Sequence, residues 1–131
     1  MKNSLLITKY LRQILSEDKA LMKMIPIEKF FPIDAKLTTK FPFVVILRTG
    51  INDTLSKDGI YEDVLSVTIY VVDDNYGGSI AIANEIRNWL EGHRYKDNDI
   101  NITRMKLSSA TEGLERDSFV QELNFNIYIN S

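Results

Sequence analysis

A chain of 131 residues, 44% hydrophobic and 26% charged, has the size of one domain and enough apolar side chains for a core of its own. Sixteen basic against eighteen acidic side chains leave a formal charge of -2, so no global field draws the protein to nucleic acid or to an anionic membrane. The absence of cysteine excludes disulfides, thiolate zinc sites and a cysteine nucleophile together.

In chain order, Ile7, Leu11, Ile14 and Leu15 predict an amphipathic helix over Ser4 to Leu15, with Thr8, Lys9, Arg12 and Gln13 facing away. Lys9, Arg12 and Gln13 also interrupt the apolar run of Leu5, Leu6 and Ile7 too early for a secretory signal. No apolar stretch approaches the ~20 residues that cross a bilayer, and the expectation is a soluble protein. Ser16, Glu17 and Asp18 predict a new start, with one short helical turn over Lys19 to Met22 before Pro26. MIPIEKFFPI, Met24 to Ile33, carries two prolines and reads as a weak edge strand. KFPFVVILRT, Lys40 to Thr49, has the close-packed apolar residues of a strand buried on both faces.

Gly50 to Gly59 has turn residues and no apolar periodicity, and reads as a ten-residue hairpin loop. From Glu62 the strand signal is plain: Leu65, Val67, Ile69 and Val71 share one face, and Ser66, Thr68 and Tyr70 the other. A helix follows, with Ile82, Ile86 and Leu90 recurring every four residues, Ser79 as the expected N-cap and Gly92 as the left-handed closing residue. His93 to Asp99 is a charged connector, Ile100 to Ser109 alternates loosely, and Thr111 to Asp117 reads as a turn. The last strand places Phe119, Leu123, Phe125, Ile127 and Ile129 on one face. The expected architecture is a single α+β domain over residues 1–131: a mainly antiparallel sheet of four to five strands with two helices on one face, in the order α-β-β-β-α-β-β.

No catalytic constellation emerges. His93, the single histidine, lies in a charged turn without a nucleophile or an orienting partner at motif spacing. Asp73, Asn75 and Gly78 match the opening of a calcium loop, but Gly77 stands at its fifth position and Asn84 where a bidentate glutamate is required. Gly77, Gly78 and Ser79 at a helix start lack the spacing and lysine of a phosphate loop. The acidic pairs Glu62 with Asp63 and Glu112 with Glu115 sit at turns and strand ends, and the cations Arg94, Lys96, Arg104 and Lys106 do not interleave with aromatics as a base-stacking surface would. The residues therefore imply no cofactor, no metal, no sequence-specific nucleic acid and no enzymatic role.

Several features occur in a characteristic order: an N-terminal amphipathic helix; FFPIDA at Phe30 to Ala35; KFPFVVI at Lys40 to Ile46; and SKDGIYED at Ser56 to Asp63. VTIYV at Val67 to Val71, IANEIRNWLEG at Ile82 to Gly92 and FVQELNFNIYI at Phe119 to Ile129 complete it. In this order the chain resembles the tail-completion or tail-terminator proteins of long-tailed phages and prophages, including minor tail proteins that cap the tail tube. The resemblance implies a non-enzymatic homo-oligomeric ring, often a hexamer, that stops tail-tube growth and meets the head. Its implied partners are further copies of itself, the tail-tube protein and head-tail connector proteins. The implied location is the virion, after assembly in the host bacterial cytoplasm. The two predicted loops supply the candidate contacts: Thr54, Leu55, Ser56 and Lys57 in one, and Glu112, Leu114, Glu115 and Arg116 in the other. The alternative is a monomeric adaptor that pairs a protein or peptide with an exposed sheet edge at Met24 to Ile33.

Overall fold

The computed structural model describes residues 3–36, 39–55 and 61–130. A turn of 3-10 helix at Ser4–Leu6 leads into α1, Ile7–Ser16, and α2 follows at Lys19–Met24. The strands are β1 (Phe30–Pro32), β2 (Phe43–Leu55), β3 (Tyr61–Asp73), β4 (Tyr95–Lys96), β5 (Asn101–Glu115) and β6 (Ser118–Asn130), with α3, Tyr76–Leu90, between β3 and β4. They form one sheet in the order β1-β2-β3-β6-β5-β4. All neighbours are antiparallel except β1, which runs parallel to Val44–Ile46 of β2.

The sheet is centred on β3, as the alternation of its sequence requires. Leu65, Val67, Ile69 and Val71 are buried, and β6 lays Leu123, Phe125, Ile127 and Ile129 beside them. Ile7, Leu11, Ile14 and Leu15 of α1 and Ile82, Ile86 and Leu90 of α3 join the same core. Each such side chain contributes about 1.5–3 kcal/mol relative to exposure. Trp89 ties the two long helices together by donating its indole Nε1–H to the Ile14 carbonyl at 2.9 Å, a group in the last turn of α1 where intrahelical donors run out. Val44, Val45 and Ile46 are buried on both faces of β2, as their unbroken apolar run predicts.

Three bulges bend the sheet, at Thr49 in β2 and at Thr103 and Ser108 in β5. The same chemistry recurs at each: the extra residue's hydroxyl donates to a carbonyl of the neighbouring strand. Thr49 reaches Ser66 at 3.1 Å, Thr103 reaches Tyr128 at 3.3 Å and Ser108 reaches Asn124 at 3.0 Å. A bulge interrupts the ladder locally, and a hydroxyl one atom from Cβ supplies a donor there.

The architecture departs from expectation in several places. Among the described residues there are six strands and three α-helices, not four to five and two, because β4 and α2 are too short to print a period on the sequence. The expected hairpin loop at Gly50 to Gly59 is strand as far as Leu55, and the expected turn at Thr111 to Asp117 is strand as far as Glu115. The helix cap is Asn75, whose side-chain oxygen accepts from the Gly78 amide at 2.8 Å, and not Ser79, which lies inside the first turn and donates to the Tyr76 carbonyl at 2.7 Å. The weak strand at Met24 to Ile33 contracts to the three residues of β1, on the sheet edge as predicted. Gly92 adopts the expected left-handed conformation with φ 83°.

Asp18 caps α2, its Oδ1 accepting from the Ala20 and Leu21 amides. Its Oδ2 is buried without a hydrogen-bond partner among the described residues. The neighbouring Asp18 carboxylate, through a side-chain hydrogen bond that a protonated Glu85 of α3 would donate, is the main cause that raises the Glu85 carboxyl above its ordinary range, with burial second. A raised folded value means the stability from this contact is complete below the unfolded glutamate pKa of about 4.3 and is lost as pH rises through the folded value. Glu85→Gln keeps a donor for Asp18 and is expected to flatten that decline in urea midpoints measured across mildly acidic to neutral pH. An unchanged slope in the variant refutes the shared proton.

Candidate functional site

The candidate contact residues fall at the two ends of the sheet. At one end, Thr54 and Leu55 extend β2, paired with Glu62 and Tyr61; Ser56 and Lys57 lie outside the described residues. Glu62 also pairs with Asn130, and Asn130 with Asn101, so the ends of β6 and the beginning of β5 share this lower end. Ser4 belongs there too, its hydroxyl 2.5 Å from Asp63 Oδ2 in a buried contact. At the other end stand Phe43, Asp73 and the β5–β6 turn, since Phe43 pairs with Val72, Val72 with Val120 and Glu115 with Ser118. The two groups are not brought together: the twelve steps of β3 separate them by about 40 Å at the rise of a strand residue.

The upper group is built on the β5–β6 hairpin. Arg116, with φ 55°, and Asp117 make its turn. Every residue from Ser108 to Asp117 is exposed, and Leu114 is 69% exposed. Glu112 is nonetheless held in place. Its carboxylate accepts from the Tyr76 hydroxyl at 3.0 Å and from Gln121 Nε2 at 3.0 Å, and Gln121 also donates to Ser79 at 3.3 Å. The Tyr76 ring meets Phe119 edge-on at 5.3 Å. The hydrogen bond to Glu112 raises the Tyr76 hydroxyl pKa. Glu112 therefore clamps the arm to the start of α3, while Leu114, Glu115 and Arg116 project beyond it.

Asp73 and Gly78 set the start of α3. Burial raises the Asp73 carboxyl, and its Oδ1 accepts from the Asn75 amide at 3.3 Å. A Cβ on Gly78 would overlap Asp73 Oδ2, so the glycine that makes this turn look like an ion-binding loop is there for a close approach. Among the described residues no group of three or more His, Cys, Asp or Glu side chains is placed to hold a metal. His93 is half-buried and lies against Trp89 with ring centroids 5.3 Å apart. No described helix is long and apolar enough to cross a membrane.

Sequence reading missed an apolar basin on the sheet face turned away from the helices. Phe43, Val45, Leu47, Tyr70, Val72 and Val120 line an open cavity of about 610 Å³, bordered by Asp34 to Lys36 on one side and Glu115 to Asp117 on the other. Phe41 stacks on Phe43 there with centroids 5.9 Å apart. The signal that could have found it is the alternate set Phe43, Val45 and Leu47, apolar on the face opposite the core. Ala at position 78 normally favours a helix by about 1 kcal/mol over Gly. Here Gly78→Ala is expected to lower stability by about 1–3 kcal/mol through displacement of the Asp73 carboxylate; thermal melting checks it, and a stabilised variant refutes the close approach.

No family model matches the sequence, and neither does any curated protein. The fold, by contrast, is found among solved structures. One is a chain of a structure described as the virion of a native gene transfer agent (GTA) particle, similar at a TM-score of 0.79 and 16% identity over 95% of this chain and 95% of that one.

Proposed function

We propose that this protein is a structural component of a phage-like virion, acting without catalysis as a tail terminator or head-tail completion factor in a homo-oligomeric ring. The observation that carries the reading is the likeness to a gene transfer agent virion chain, which covers 95% of this chain and 95% of that one. The resemblance of the ordered sequence features to tail-completion proteins supports the finer role. The geometry is consistent with it. A ring subunit needs a rigid sheet, surfaces presented on two sides and edges that can be paired; here a hairpin stands at each end of the strands.

In this reading the partners are further copies of the chain, the tail-tube protein and head-tail connector proteins, and the protein is carried in the virion after assembly in the host cytoplasm. The adaptor alternative has less support because its proposed edge, Met24 to Ile33, contributes only three residues of strand, Phe30–Pro32, for a peptide to pair with. Solution mass at several protein concentrations, with electron microscopy of cognate tails, tests the proposal. The expected result is rings on tail ends and a change in tail length when the protein is withheld. A strict monomer that neither forms rings on tails nor alters their length overturns it.

A further inference from the structure

Both sheet edges are largely bare. Among the described residues β1 pairs with β2 only at Val44–Ile46, leaving Leu47 to Asn52 without a strand neighbour on that side, and β4 pairs with β5 only at Asn101 and Ile102, beyond which the Glu91 carboxylate takes the Leu107 amide and no further strand follows. Isolated edges of this length are usually blocked by charge, proline or a covering element. Here the charge is light and proline is absent: Leu107 to Thr111 reads LSSAT, Arg104 to Lys106 carries two cations, and Arg48 to Asn52 carries one. The upper half of β5 is also little covered, with Ser108 to Glu115 exposed throughout and Glu112 alone tied back to α3 through Tyr76. A strand so exposed gains little from burial within its own subunit.

The registers show how a second copy fits. Followed across the sheet, Asn52 lies level with Val64, Tyr128 and Arg104, and Leu47 lies level with Thr68, Asn124 and Ser109. The open lengths of the two edges therefore overlap in height from Arg104–Ser109 to Leu47–Asn52. Moreover β2 runs from the Phe43 end of the sheet toward the Leu55 end, and β5 runs the opposite way. Rotation of a copy about an axis along the strands keeps both directions, so β5 of one copy meets β2 of the next antiparallel. Two copies related by a two-fold cannot continue into a ring, whereas a head-to-tail contact of this kind is the type that builds one when its rotation closes.

We propose that copies of this chain join by antiparallel pairing of the β5 edge of one with the β2 edge of the next, centred on Arg104–Ser109 against Leu47–Asn52. The inference rests on the ring reading and moves its subunit contact from the hairpin tips to the edges. Each junction would add one more pair to a continuous sheet, ending at Ser109 because β1 covers the β2 edge above Leu47.

The chain has no cysteine, which makes cross-linking specific. Asn52 and Arg104 are both exposed and level, and facing residues of an antiparallel pair bring Cβ atoms to about 4.5–5.5 Å. The double variant Asn52→Cys with Arg104→Cys is expected to give, on oxidation, a ladder of covalent oligomers ending at the ring number. Either single variant is expected to stop at two copies. Proline supplies the second arm. Successive strand amides point to opposite sides, so one of Ile51→Pro and Asn52→Pro removes only the outward N–H of β2. That variant is recognised by a melting temperature within a few degrees of the parent. Its half-assembly concentration is expected to rise at least about tenfold, roughly 1.4 kcal/mol per junction. Rings that form without the covalent ladder, and that form equally well from the well-folded proline variant, overturn the edge contact and leave the ring reading standing. Absence of any self-association, in solution or on tails, overturns both.

Discussion

The structure depends on the ladder between β3 and β6, whose twelve residue pairs run from Glu62 with Asn130 to Asp73 with Phe119. A side-chain period of two makes such a ladder unforgiving, since a slip by one residue would turn Leu65, Val67, Ile69 and Val71 out of the core. Both helices with long apolar stripes are docked on this face, and the Trp89 to Ile14 hydrogen bond fixes their spacing over it. The β2 and β5 hairpins are then attached to either side of a register already determined. Every candidate contact residue is positioned by this pair of strands.

That dependence explains which elements could be read from the sequence. Alternation is a record of burial: β3 and β6 print it because one face is covered by helices, and α1 and α3 print a 3.6 period for the same reason. Gly50 to Leu55 and Thr111 to Glu115 are equally regular strands, yet where their exposure is described it is on both faces, so nothing in their order of residues records a pleat. They read as loops because a strand without a core looks like a loop to any pattern based on hydrophobicity. The start of α3 was misplaced for a different reason. Asn75 and Ser79 are both good caps, and Gly77 and Gly78 disfavour helix by propensity, but the buried Asp73 requires a glycine at position 78 and pulls the helix start forward.

The candidate contact residues follow the same division. Glu112, Leu114, Glu115 and Arg116 are exposed and together at one end, as a predicted turn would place them, but Glu112 is occupied by Tyr76 and Gln121. It serves as the clamp of the arm and leaves outward contact to its neighbours. The pairing of Tyr76 with Glu112 spans 36 residues of sequence, and nothing local to either residue announces it. The apolar basin was hidden likewise, because Phe43, Val45 and Leu47 belong to a run that is fully explained by a strand with two covered faces.

A bare edge with few charges is an aggregation hazard unless its choice of partner is restricted, and the three hydroxyl-stitched bulges supply a restriction. Each adds a residue to one strand and increases local twist, so an arbitrary flat strand cannot follow β5 past Thr103 and Ser108 or β2 past Thr49. In a copy of the same sheet the β2 bulge at Thr49 and the β5 bulge at Ser108 flank one shared row, that of Arg48, Phe125 and Leu107. Irregularities on either side of one row restrict which strand can lie beside this edge, in the way that a bulge ordinarily fixes register within a sheet. Selectivity of this kind requires no charged pair and no deep pocket, which accords with a surface that carries a net charge of only -2 and has no conspicuous binding motif.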